Sequence, residues 1–294
     1  MADESPATAG GRACVEASVH ANGLEIVYDA LGAGPPLILL HGASSLGRDD
    51  FGGQLPSFAK AFRCYVPDAR AHGRTLYDVT RGLRYEDLVA DLLAFADSLG
   101  LATFHLLGFS MGAATALQFA SHHSDRLRTL IVVGNAAEPE PRTTVIRRIA
   151  DVARVDAHDP EWAAVLARRH DGHQGAGYWR QLLPAIVRMV ETQERLSPAD
   201  LHAIDAPVLV AVGDRDPFVP VDQASRLSHQ LTAGRLFVAP DCGHEVTARR
   251  PILFNEACAG FYRSTEAVAA RRAEAVAARR AEASRPTRPG PATG

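Results

Sequence analysis

A strand-like apolar run that passes straight into a small-residue helix leaves a chain few ways to fold. Residues 103–114 read TFHLLGFSMGAA. Phe104, Leu106 and Leu107 suit a buried strand, and residues 113–120 (AATALQFA) suit a helix that starts directly after it. A strand that becomes a helix without an intervening loop needs glycine on both sides of the turn. Gly108 and Gly112 meet that need, letting the backbone fold sharply and the helix sit close to the neighbouring strand. The apex residue, Ser110, is then held above the sheet at a helix N-terminus, where N–H groups lack partners and the dipole favours negative charge.

The rest of the chain alternates in the way such a turn requires. Residues 15–31 hold two strand-like pieces around Asn22-Gly23, a strong hairpin signal. Residues 36–40 (PLILL) form a continuous apolar run, as expected of a strand covered on both faces, and end in His41-Gly42-Ala43-Ser44-Ser45. A helix is expected over 51–62 and a strand over 63–67, followed by DARAHGR at 68–74. Residues 85–99 carry Leu88, Leu92, Phe95, Ala96 and Leu99 at helical spacing and stop at Gly100, a C-cap. Residues 127–134 suit another buried strand. Strands and helices alternating at this spacing imply βαβ crossovers and a parallel sheet.

The alternation breaks over 135–204, an Arg- and Ala-rich stretch that reads as three or four helices and contains both tryptophans. It resumes with a strand at 207–213, a helix at 222–231, a strand at 235–238 and a last helix at 251–263. The expected fold is α/β: a mostly parallel, doubly wound sheet of about eight strands with a helical lid inserted after the sixth. Residues 15–134 and 205–264 would form the core. The lid, 135–204, would lie over the strand ends, where ligands bind in open α/β sheets. Residues 1–14 read as a disordered leader.

Composition narrows the partners. With a net charge of −3 and no basic face in the core, nucleic acid is not expected, and a small-molecule substrate is. The charge is uneven. From Glu266 onward six Arg oppose three Glu, leaving +3 there and −6 in the remainder. That tail, 265–294, repeats EAVAARRA twice. An eight-residue period drifts by roughly 80° per repeat on a helix, so the tail reads as solvated helix or disorder rather than a coiled-coil seam. Cys14, Cys64, Cys242 and Cys258 show no metal-type spacing and read as free thiols of a reducing compartment. The acidic N-terminus lacks the pattern of a secretory signal, and no apolar run approaches the roughly 18 residues of a membrane span. A cytoplasmic protein with no membrane partner is expected.

The strand–turn–helix setting of G-x-S-x-G resembles the nucleophile elbow of the α/β-hydrolase family. The resemblance extends over residues 15–264 and takes in His41-Gly42, DARAHGR, GFSMG, GDRDPFVP at 213–220 and CGHE at 242–245. The chain order Ser…Asp…His is that of the family. It implies Ser110 as nucleophile, a weak one that needs an adjacent base, and His244 as that base. Asp216, the fourth residue of G-x-x-D, would hold the imidazole and stabilise its charged form, with Asp214 a solvated turn residue. Asn135 stands at the family's other acid position and cannot carry the charge. Donors for a developing oxyanion would be the N–H groups of Ala43 and Met111. His41, Arg70 and His72 read as loop scaffolding, and Ala69 and Ala71 stand where the family often has glycine.

The implied activity is cofactor-free hydrolysis of a small ester, thioester or lactone through an acyl-enzyme. Hydrolysis of a carbon–carbon bond in a ring-fission diketone is the alternative. Those relatives often have Asn where Phe109 stands, which leans the reading toward esters. A perhydrolase and a hydrolase-like ligand-binding protein are further relatives. Serine at the apex argues against the aspartate-nucleophile branches. No H-E-x-x-H and no G-x-G-x-x-G appears, so neither metal nor nucleotide is implied. The substrate pocket is expected to draw on Phe109, Trp162, Tyr178, Trp179, Leu183 and Met189.

Overall fold

The computed structural model describes residues 14–138 and 140–283, with side chains to residue 267. The leader, apart from Cys14, and the end of the tail lie outside the described residues. The chain divides into two compact units after Asn255.

The first unit is built on an eight-stranded sheet ordered β1-β2-β4-β3-β5-β6-β7-β8. β1 (Val15–Ala21) and β2 (Leu24–Leu31) form an antiparallel hairpin. Its turn residues, Asn22 and Gly23, both have positive φ, the geometry that matches strand twist in a two-residue turn. β2 also pairs antiparallel with β4 (Arg63–Pro67). From there β3 (Pro36–Leu40), β5 (Phe104–Phe109), β6 (Leu127–Val133), β7 (Val208–Gly213) and β8 (Gly234–Ala239) all pair in parallel. Every residue of β5 and β7 is buried. Both faces of the central sheet are covered, which is why these strands are apolar runs rather than alternating ones.

The helices depart from expectation in three places. The single helix expected over 51–62 is two short pieces, α1 (Gly47–Phe51) and α2 (Leu55–Phe58). Gly52 and Gly53 lie between them, and a Cβ at Gly53 would come within 2.8 Å of the Pro251 ring. Pro56 lies in the first turn of the second piece, where its missing N–H costs nothing. α3 (Tyr85–Ser98) is closed as expected: Gly100 takes φ +66 and donates to Asp97, while Leu101 donates to Ala96. α4 (Met111–His122) follows β5 directly.

Between β6 and β7 the helical insertion is more broken than three or four helices. It runs α5 (Arg142–Ile149), α6 (Val152–His158), α7 (Pro160–Leu166), one π-helical turn (Ala167–Asp171), α8 (Gly172–Gln174), α9 (Trp179–Glu191) and α10 (Pro198–His202). Pro160 and Pro198 each start a helix, and Gly175 and Gly177 take positive φ where α8 ends. α11 (Val221–Gln230) and α12 (Val246–Arg249) complete the layer around the sheet.

α13 (Pro251–Ala283) begins in the first unit and makes up the second, running well past the expected end near residue 263. Residues 264–283 contain neither Gly nor Pro and are mostly Ala, Glu and Arg, all good helix formers. Among the described residues no helix is long and apolar enough to cross a membrane.

Candidate active site

Ser110 sits at the apex between β5 and α4 with φ 52°, a left-handed conformation that a serine adopts only when its surroundings hold it. The holding is steric. A Cβ at Gly108 would press into the Gly112 carbonyl, and one at Gly112 into the Leu40 carbonyl of β3. Two backbone bonds pin the turn: Ser110 N–H donates to Val133 O at 2.8 Å, and Gly112 N–H donates to His41 O at 3.1 Å. Asn135, just past β6, donates to the Ser110 carbonyl at 3.1 Å, and Arg142 donates to Asn135.

The loops after β7 and β8 bring the other two residues in. The Ser110 hydroxyl lies 3.0 Å from His244 Nε2, and His244 Nδ1 lies 2.8 Å from Asp216 Oδ2. A carboxylate on one side and a hydroxyl on the other set the tautomer: Nδ1–H donates to Asp216, leaving Nε2 to accept from Ser110. Asp216 is itself held, its Oδ1 accepting from Phe218 N–H at 2.8 Å and Val219 N–H at 3.1 Å. The imidazole packs against the rings of Phe218, 4.2 Å away, and Phe109, 5.1 Å away. A Cβ at Gly134 would come within 2.8 Å of His244 Cε1, so the end of β6 must be glycine for the ring to fit.

Asp214 is the exposed turn residue expected, and it also makes a bond that holds a loop. Its carboxylate accepts from Cys242 N–H at 2.9 Å, and backbone donors of the 241–242 turn hold its pKa below the usual carboxylate value. It staples the loop that carries His244 to the end of β7.

The loop after β3 is held by side chains from elsewhere. Asp50 of α1 accepts from Gly42 N–H and from the Ser45 hydroxyl, both at 2.7 Å, and burial pushes its pKa up. His41 Nε2 accepts from Ala69 N–H at 3.0 Å, so its Nδ1–H donates to Gly42 O at 2.8 Å. His72 Nε2 accepts from Ser44 N–H at 3.2 Å, and its Nδ1–H donates to Arg70 O. Arg70 makes a buried bidentate pair with Asp91 of α3. Among the described residues the N–H groups of Ala43 and Met111 have no protein acceptor. Met111 is the first residue of α4, where an N–H has no intrahelical partner.

The residues expected to line a pocket fall into separate groups. Phe109 is buried, its ring packed against Gly42 and His244. Tyr178 and Met189 share an apolar cluster with Met111, Tyr85 and Leu182, and the Tyr178 hydroxyl donates to Ala71 O and Tyr77 O. Trp179 and Leu183 pack with Val155 and Leu166 in a core internal to the insertion, with Trp162 against it. That second group is not brought to Ser110. A cavity of about 40 Å³ behind the β3 loop touches Met111, His41 and Thr115 but neither Ser110 nor His244. Among the described residues no group of three His, Cys, Asp or Glu side chains could hold a metal ion.

Asp50 was not legible as a site residue: it reaches the loop after β3 from α1, and no local motif marks it. Asn135, which stands at the family's other acid position, instead bonds the Ser110 carbonyl.

Residues 37–259 match the model of a family described as the alpha/beta hydrolase family. The chain is 26% identical over 267 residues to the serine hydrolase BPHL of Mus musculus, covering 87% of this chain and 89% of the relative. It is 27% identical over 264 residues to the 2-hydroxy-6-oxo-6-phenylhexa-2,4-dienoate hydrolase of Comamonas testosteroni, covering 81% and 91%. Among solved structures, the meta-cleavage product hydrolase CumD of Pseudomonas fluorescens IP01 aligns with a TM-score of 0.70 at 20% identity, over 84% of this chain and 97% of that one.

Proposed function

This chain belongs to the α/β-hydrolase family and is a hydrolase, and on that premise we propose that it cleaves a small carboxylic ester, thioester or lactone through an acyl-enzyme on Ser110. His244 Nε2 takes the Ser110 proton as Oγ bonds to the carbonyl carbon. The negative charge that forms on the carbonyl oxygen is received by the N–H groups of Ala43 and Met111. Asp216 stabilises the imidazolium without taking its proton. The proton then passes from His244 to the leaving alkoxide or thiolate as its bond to carbon breaks. Water repeats the sequence on the acyl-enzyme, with His244 as base and Ser110 as leaving group.

The observation that carries this reading is the continuous hydrogen-bonded line from Ser110 through His244 to Asp216, at 3.0 and 2.8 Å, beside two unengaged N–H groups. In this reading residues 135–204 act as a lid, and its face bearing Tyr178 and Met189, packed with Met111, supports a pocket beside the nucleophile.

The test is hydrolysis of chromogenic esters from acetyl to decanoyl by the parent and by Ser110→Ala. A fall of about 10⁶-fold in kcat in the variant, with its melting temperature kept, supports the reading. Activity that survives the substitution sinks it. A second reading, hydrolysis of a carbon–carbon bond, is supported by the dienoate hydrolase among the relatives. Turnover of a ring-fission diketone, with esters left untouched, would favour it. Ligand binding without turnover of either substrate would favour a binding protein.

A further inference from the structure

The π-helical turn of the insertion, Ala167–Asp171, puts two consecutive side chains to work on neighbouring loops, Arg169 on the loop after β3 and His170 on the loop after β4. Such a turn interrupts the regular helical ladder and is frequent at functional sites. Arg169 donates from Nη1 to the Ser44 carbonyl at 3.0 Å and from Nε to Asp49 Oδ2 at 2.6 Å, with its guanidinium over the Trp162 ring. His170 is fully buried. Its Nδ1 accepts from Gly73 N–H at 3.2 Å, so the neutral ring carries its proton on Nε2, which has no hydrogen-bond partner among the described residues. The ring lies edge-on to His72, 5.5 Å away, and His72 Nε2 accepts the Ser44 N–H.

The polar groups around Ser44 can therefore be accounted for one by one. Its N–H goes to His72, its carbonyl to Arg169, and its hydroxyl donates to Ala43 O at 2.7 Å. Ser44 sits at φ 53°, a conformation that needs such holding. What remains unengaged in the Ala43–Ser44 stretch is the Ala43 N–H.

Resting on the serine-hydrolase reading, we propose that Arg169 and His170 are positioning residues that aim the Ala43 N–H at the oxyanion by fixing the Ser44 peptide. The insertion thereby sets half of the oxyanion hole as well as covering the strand ends. When the insertion shifts, the Ser44 carbonyl loses Arg169, His72 loses the ring packed against it, and the donor loses its aim.

The experiment compares the parent with Arg169→Met, Arg169→Lys, His170→Phe and His170→Asn. Each is assayed on the parent's best ester and for inhibition by the trifluoromethyl ketone carrying the same acyl chain. Ser110 Oγ adds to that ketone's carbonyl carbon as its proton passes to His244, and the carbonyl electron pair moves onto oxygen to leave a tetrahedral oxyanion. Arg169→Met and His170→Phe are expected to lower kcat by about 10- to 100-fold. KM stays within about twofold, and the ketone's affinity falls in step with kcat. His170→Asn keeps an acceptor for Gly73 N–H, and Arg169→Lys keeps a donor for Ser44, so both recover much of the loss.

A purely structural role would lower the melting temperature and the active fraction, leaving kcat per active site and ketone affinity at parent values. That outcome overturns the proposal. A parent that the ketone does not inhibit overturns the serine reading and this inference together. A parent that is inhibited, with Arg169→Met inhibited equally, overturns this inference alone.

Discussion

The two halves of the candidate site are held in place by different means. On the side of the proposed nucleophile, the β5–α4 turn is fixed by close backbone packing: Gly108 and Gly112 leave no room for a Cβ against their neighbours. On the side of the proposed oxyanion donor, the loop after β3 is fixed by side chains of Asp50, His72 and Arg169, reaching in from α1, the loop after β4 and the insertion. Sterics of this kind are set at single glycines and tolerate no substitution. Side-chain bonds act across the fold and can be weakened singly. One half should therefore fail all at once, and the other by degrees.

The largest effect expected from a substitution that spares the nucleophile is at Asp216. Its asparagine variant can no longer stabilise the imidazolium and favours the wrong tautomer of His244. kcat should fall by about 10⁴-fold with little change in melting temperature. Steady-state kinetics beside a thermal melt checks this. A fall under tenfold would mean that another carboxylate supports His244.

A sharper contrast between the halves comes from pairing Gly112→Ala with Asp50→Asn. The added methyl has to displace the Leu40 backbone, so it should cost about 1–3 kcal/mol of stability and remove most activity with it. Asp50→Asn turns one acceptor into a donor facing Gly42 or Ser45. It should lower kcat by about 10- to 100-fold while the nucleophile still reacts. Counting active sites with a fluorophosphonate that labels serine separates the two. Equal loss of labelling in both variants would erase the distinction drawn here.

The smallest effect concerns pH. Burial holds the His170 pKa down to about 4, and that of His72 well below the ordinary value. Between about pH 6.5 and 4 the unfolded chain therefore binds protons that the folded imidazoles refuse, and stability falls as pH falls. Each such group contributes up to about 1.4 kcal/mol per pH unit within that window. Urea midpoints measured from pH 7 to 4.5 should decline, and less steeply in His170→Asn. Parallel profiles for parent and variant would show that this histidine carries none of the acid sensitivity.

The same contrast explains what could be read from the chain beforehand. The β5–α4 turn, the hairpin at Asn22-Gly23 and the closure of α3 at Gly100 are local, each decided by which residues can take positive φ or a close approach. The break at Gly52 and Gly53 was missed because the apolar residues around it still fit a single helix. Asp214 is the exposed turn residue its position suggests, but its bond to the Cys242 N–H, 28 positions away, has no local signal. Within the insertion, an aromatic or aliphatic residue announces burial but not its partner. Met189 and Tyr178 joined the cluster with Met111, and Trp179 and Leu183 joined the insertion's own core.

The order of strands and helices, the sharp turn that lifts Ser110 and the family in which Asp216 and His244 follow it can all be read from the residues, because they depend on periodicity and on where glycine is needed. That Ser110, His244 and Asp216 lie within hydrogen-bond reach, and that Asp50, His72 and Arg169 hold the opposing loop, comes from long-range packing. A hydrogen bond between residues 125 positions apart, such as that from Arg169 to Ser44, exists only because packing of the whole first unit brings the two groups together.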